Sequence, residues 1–158
     1  RWLSIVVRAR RETIMGLIVD VLEFDRGVET VETASKESGE PMSRIVKTLL
    51  LKAGDEYVVA VVRGDNVIDF DRLSRALGKP VTMARAKEVK QVLGVDVGAV
   101  TPLSERVLSH RIIMDPSVLE NDYVLCGGGS RNTLIRVNVK DLVNLLKPML
   151  IDAFKRAS

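Results

Sequence analysis

The 158-residue chain has one cysteine, one histidine and few aromatics. A lone cysteine, Cys126, closes no internal disulfide, so the fold does not depend on oxidation, which suits a cytoplasmic setting. A lone histidine, His110, is too little for a multi-histidine metal site or a histidine relay. CxxC, HExxH and P-loop motifs are all missing, and no metal or cofactor is called for. No apolar run nears the roughly 20 residues of a membrane helix. The longest, such as Leu49–Leu51 and Val58–Val62, are strand-sized. Glu12 and Asp20 interrupt the N-terminal stretch and no small-residue cleavage site follows, so a signal peptide is not expected.

What is present suits one domain. Hydrophobic residues make up 46% and charged residues 28%, enough for a sizeable core with an ordinary polar surface. The net charge of +3 comes from one end. Residues 1–11 hold Arg1, Arg8, Arg10 and Arg11 without an acid, and the rest carries 20 basic against 21 acidic residues. That is not the broad basic face of a non-specific duplex binder, though it permits a phosphate-bearing partner.

The pattern predicts a helix over 4–14 ended by Gly16, then a strand over Leu17–Phe24. Thr30 is placed to cap a helix over Val31–Glu37, with Gly39 past its stop. Pro41 and Ser43 open a short helical turn. Lys47–Lys52 and Tyr57–Arg63 read as a hairpin, and the unbroken Val58–Val62 run reads as a strand buried on both faces. Helices follow at Asp71–Leu77 and Ala86–Leu93, with a short strand at Pro80–Met83 between them. Residues 94–106 read as irregular. Arg111–Met114, Tyr123–Cys126 and Thr133–Val137 read as strands, and Lys140–Leu146 as the closing helix. Irregular alternation of strands and helices favours α+β with a mixed sheet.

Few residues offer chemistry. His110 reads as a loop histidine and Cys126 as a small buried thiol. Lys47, where a helical turn enters a buried strand, either covers apolar surface with its stem or contacts a phosphate at a pocket rim. Gly98-Ala99-Val100-Thr101-Pro102 is either a connector or a loop whose backbone N–H groups converge on a carbonyl oxygen. Gly127-Gly128-Gly129 is either a tight hairpin tip or a place where backbone approaches a ligand closely.

Taken in order, these segments resemble the YbaK/prolyl-tRNA synthetase editing-domain family, from about Val21 to Leu146. The resemblance is carried by Val21-Leu22-Glu23-Phe24, Thr30-Val31-Glu32-Thr33-Ala34 and Ile45-Val46-Lys47-Thr48-Leu49-Leu50. It continues in Val59–Arg63 with Gly64-Asp65, the Gly98-x-x-x-Pro102 loop, Asp115, the glycine triplet and Asn132.

The resemblance implies a partly barrel-like mixed sheet flanked by helices; residues 1–20 and 147–158, outside the firm match, are expected to be peripheral helices. It implies an aminoacyl-tRNA deacylase acting in trans, its partners the tRNA acceptor end and an aminoacyl-tRNA synthetase. Lys47 would hold phosphate, while Gly98 and Pro102 would frame the acyl carbonyl. Thr30, Thr101, Gly127, Gly128, Gly129 and Asn132 would bind the aminoacyl end. Water and the substrate's ribose hydroxyl would do the chemistry. A non-catalytic tRNA-end or synthetase-binding module of the same fold is the alternative. Some synthetase-inserted members carry a histidine in the glycine-rich region, where this chain reads Gly127–Asn132 without one. The arginine-rich first 11 residues are read either as a solvated face or as a contact to the acceptor stem.

Overall fold

The computed structural model describes residues 6–158. The chain opens with a hairpin of β1 (Val6–Ile14) and β2 (Leu17–Phe24). The helix expected over 4–14 is therefore a strand from residue 6 on, while residues 4 and 5 lie outside the described residues. Met15 and Gly16 both take positive φ, 51° and 82°, so the supposed helix stop is a two-residue hairpin turn. Arginines read as a solvated helix face instead pair across the hairpin. Arg8 and Arg10 each lie 3.2 Å from Glu23, and Arg11 lies 3.1 Å from Asp20. Charges along this strand also discourage pairing with another chain at the sheet edge.

Helix α1 (Val31–Ser38) begins as expected at Thr30, whose hydroxyl accepts from the Thr33 amide at 3.0 Å, and ends at Gly39. A 3₁₀ turn over Met42–Arg44 leads into β3 (Val46–Ala53), which pairs antiparallel with β4 (Glu56–Arg63). The run Val58–Val62 is fully buried, as an apolar run without alternation requires. Then come β5 (Asn66–Ile68), α2 (Phe70–Leu77), β6 (Val81–Met83), α3 (Ala86–Leu93) and the short α4 (Glu105–Leu108). The remaining elements are β7 (Arg111–Met114), β8 (Tyr123–Gly127), β9 (Thr133–Asn138) and α5 (Val139–Leu146). The tail, expected to be helical, forms two short strands instead: β10 (Met149–Leu150) beside β7 and β11 (Phe154–Arg156) beside β5.

The class is mixed α+β, with sheets flanked by helices. A small sheet is formed by β11 with β5. Of the two large sheets, one runs β1-β2-β9-β8 and the other β10-β7-β4-β3-β6, with β7 parallel to β4. A single bridge, Ile45 to Leu125, links the two, so no closed barrel forms among the described strands. The main core fills the space between the sheets, and α1 packs over Phe24, Ile45, Leu125 and Leu134.

One buried carboxylate ties the centre together. Asp115, 2% exposed, accepts from the Arg63 amide at 3.2 Å, Asn66 Nδ2 at 2.9 Å, and the Ser117 amide and hydroxyl at 3.0 and 2.8 Å. It thereby fixes the ends of β4 and β7 and the start of β5. Replacing Asp115 by Ala removes four accepted hydrogen bonds, leaving Asn66 Nδ2 only its bond to Ser117 Oγ, and is expected to lower unfolding free energy by about 2–3 kcal/mol, read by urea denaturation.

Candidate functional site

β3 has β4 along one edge, but β6 covers the other edge only at Leu51–Ala53. The first half of β3 therefore has a free edge facing β8. A hollow of about 390 Å³ runs along it, so Lys47 and Leu49 from one strand face and Val46 and Thr48 from the other all reach it. The start of α1 roofs it with Glu29, Thr30 and Glu32, and Val97, Gly98 and Val100 close one side. Gly127, Thr133 and Leu134 come from the other sheet, and Val67 and Ala157 complete the rim.

The contact that holds the 98–102 loop here is backbone on backbone. A Cβ on Gly127 would sit 2.1 Å from the Val100 carbonyl oxygen, so only glycine fits. Gly98 is similarly pressed: a Cβ there would lie 2.9 Å from Glu29 Oε2. Glu29 in turn is gripped by Arg131, Nε to Oε2 at 3.1 Å and Nη2 to Oε1 at 3.1 Å. The glycine triplet's close approach is thus to the chain's own loop. Gly128 packs against Thr133, and Gly129 takes a φ of 92° at the open tip.

Lys47 is half-buried and has no ion pair within 4.0 Å among the described residues. Burial pushes its pKa below the ordinary lysine value, opposed by the carboxylates of Glu32, Asp65 and Asp115. An ammonium desolvated without a partner is under strain that an incoming anion would relieve. Next to it, the buried Thr48 hydroxyl has no hydrogen-bond partner among the described residues. Such groups ordinarily find a partner, in protein, water or ligand.

Of the expected site residues, the fold brings Lys47, Gly98, Thr30 and Gly127 to one hollow. The Thr30 hydroxyl is already spent on capping α1. Thr101, Pro102, Gly128, Gly129 and Asn132 stand outside the lining. Thr101 Oγ1 accepts from the Leu103 amide at 3.2 Å, shaping the loop, and Pro102 is buried behind it. Asn132 braces β2 by donating to the Phe24 carbonyl at 3.1 Å. Sequence reasoning missed Glu29, Glu32 and Thr48; the signal for the last two was their place beside residues already singled out.

The remaining candidates lie elsewhere. His110 Nδ1 sits 2.7 Å from the Arg106 carbonyl at the end of α4. Cys126 is fully buried, and burial pushes its thiol up to about 12, which leaves it inert as a nucleophile. No group of three or more His, Cys, Asp or Glu among the described residues is placed to hold a metal. No described helix is long and apolar enough to cross a membrane. A second hollow, about 420 Å³, lies between the β1–β2 hairpin and the end of α1, but it holds none of the expected site residues.

Residues 25–145 match the family described as the aminoacyl-tRNA editing domain. The chain belongs to that family. Membership supports an aminoacyl-tRNA editing role. Among its relatives, the uncharacterized protein YwhH of Bacillus subtilis is 32% identical over 126 residues, 78% of either chain. The proline–tRNA ligase of Thermosipho africanus is 32% identical over 106 residues, 66% of this chain but only 18% of that ligase. The crystal structure of hypothetical protein APE2540 superposes with a TM-score of 0.78 at 30% identity, over 89% of this chain and 93% of that one. A proposed trans-editing enzyme for prolyl tRNA synthetase shares the fold at a TM-score of 0.79 and 24% identity, over 89% of this chain and 87% of that one.

Two outcomes follow from this geometry. Gly127→Ala must push the 98–102 loop outward; the expected result is loss of native chemical shifts around Val100 with the sheets intact, read by two-dimensional NMR. Because the unfolded chain holds the Lys47 proton more tightly than the folded one, stability gains with pH between the lowered folded value and the ordinary 10.5. Lys47→Met should flatten that rise and stabilise the fold at neutral pH, measured as the difference between the two pH–stability profiles.

Proposed function

We propose that this protein hydrolyses the ester joining a misattached amino acid to the 3′ end of tRNA, acting in trans beside the synthetase. The observation that carries the reading is the shared hollow: an unpaired ammonium at Lys47 and the Gly98–Val100 loop bound one space of about 390 Å³. Lys47 contacts a phosphate at the acceptor end, and the loop orients the acyl carbonyl. Water adds to the carbonyl carbon, and the ester bond breaks to release the amino acid and the tRNA hydroxyl. The ester is already activated, so position and oriented dipoles supply much of the acceleration. The inert thiol and the distant His110 agree with a reaction that needs no protein nucleophile.

The substrate is a small amino acid on proline tRNA or a similar tRNA. Apolar pockets separate side chains differing by one methylene only by about 1–3 kcal/mol, which is why a second, hydrolytic site is worth having. Few phosphate contacts suffice at a single-stranded end, consistent with the modest net charge. Arg8, Arg10 and Arg11 of β1 are engaged with Glu23 and Asp20, so the proposed tRNA contact does not call on them. Charged tRNA is made and used in the cytoplasm, which places the activity there.

The test is a panel of aminoacyl-tRNAs, including alanyl- and cysteinyl-proline tRNA, incubated with the purified chain. Ester loss above the spontaneous rate is expected for at least one, falling about 100-fold or more in Lys47→Ala with an unchanged fold by circular dichroism. Normal turnover by that variant removes Lys47 from the mechanism. Binding without ester loss favours the non-catalytic module.

A further inference from the structure

The hollow holds two carboxylates, and they stand in different positions. Glu29 is occupied on both oxygens by Arg131. Glu32, in the first turn of α1, lines the same hollow, is exposed, and makes no ion pair or side-chain hydrogen bond with any described residue. It is not within 4.0 Å of Lys47 either, although its charge is the strongest of those felt by that ammonium. One uncommitted cation and one uncommitted anion thus face a common space without neutralising each other.

An aminoacyl ester at an RNA 3′ end carries the complementary pattern. It has phosphate on one side of the ester and a free α-ammonium on the other. Resting on the reading of the site as a deacylase, we propose that Glu32 recognises the α-ammonium of the aminoacyl group and makes the enzyme selective for substrates with a free amine. Glu32 is a specificity-determining residue, separate from the phosphate anchor and the carbonyl loop. Lys47 and Glu32 then bracket the ester at two points, which fixes the carbonyl between them against the Gly98 loop. An N-blocked acyl group, such as an acetylated amino acid or a growing peptide, loses the charge and crowds the helix start. The site thereby spares peptidyl- and initiator-type esters while removing free aminoacyl ones. The surface position of Glu32 allows its carboxylate to be changed without disturbing the core, since only its neighbours Val31 and Ala34 are buried in α1.

The experiment compares wild type, Glu32→Gln and Glu29→Gln on one tRNA charged with the preferred amino acid, with and without N-acetylation. Wild type is expected to favour the free-amine ester by about tenfold or more in kcat/KM, the scale of one charge-assisted hydrogen bond. Glu32→Gln should raise KM for the free-amine substrate by about tenfold, with kcat nearly unchanged, and leave the N-acetylated ester unaffected, so that the preference collapses. Glu29→Gln should keep the preference. Wild type that hydrolyses both esters equally well overturns this assignment alone, as does a preference that survives in Glu32→Gln or is lost in Glu29→Gln instead. Wild type that hydrolyses neither ester, on any tRNA of the panel, overturns the deacylase reading and this assignment with it.

Discussion

The site depends on one close contact, the Val100 carbonyl resting against the Cα of Gly127. Two sheets that share only the Ile45–Leu125 bridge leave a cleft between β3 and β8. A cleft of that kind would ordinarily fill with side chains or close into more sheet. Here a loop is wedged into it by backbone contact at a position where a Cβ cannot exist. The wedge keeps the β3 edge open along Val46–Leu49 and turns what would be a packing fault into a lined hollow. The Glu29–Arg131 grip and the Asn132 brace secure the two segments on either side of it.

Around that hollow the chain places charges and leaves them unpaired. Burying an ammonium without a partner disfavours the folded state, and the lowered pKa of Lys47 is the sign of that cost. Elsewhere the molecule pairs its charges readily: β1 with Glu23 and Asp20, Arg63 with Asp65 at 2.6 Å, Arg44 with Asp122 at 2.6 Å. Other charges without an ion pair among the described residues, such as Lys36 and Lys87, stand exposed in water, whereas Lys47 is half-buried and feels the loss of solvent. A half-buried ammonium without an ion pair beside a buried hydroxyl without a hydrogen-bond partner among those residues, Lys47 next to Thr48, is the combination that makes this hollow a candidate site.

Much of this was legible in the residues. Thr30 and Gly39 bracket α1 as cap chemistry dictates, and the unbroken run Val58–Val62 announced a central strand. The pattern at Lys47, at the entry to a buried strand, fitted a stem covering apolar surface as well as a phosphate contact, and only the family resemblance singled it out for the site. The β1 hairpin was not, because Met15-Gly16 lacks the usual Asn-Gly or Asp-Gly signal and the arginines mimic a solvated helix. The tail strands were equally hidden, since two- and three-residue strands owe their existence to the neighbour they pair with and carry no periodicity of their own. The glycine triplet was read as a ligand contact or a tight tip, yet its first member serves loop packing. The carboxylates of the hollow escaped because nothing local distinguishes Glu29, held by Arg131, from Glu32, which is not; that difference is set by a residue 102 positions away.

The strand β11 lies outside the span that matches the family, yet through its pairing with β5 it brings Ala157 to the rim beside Val67. One side of the aperture is therefore built by a segment that also seats Ala153 and Phe154 in the core beside Ile68 and Ile113. Such an arrangement couples the shape of the entrance to the packing of that core. The doorway is open to change at exposed Ala157, while Phe154 three residues earlier holds the gatepost in the frame.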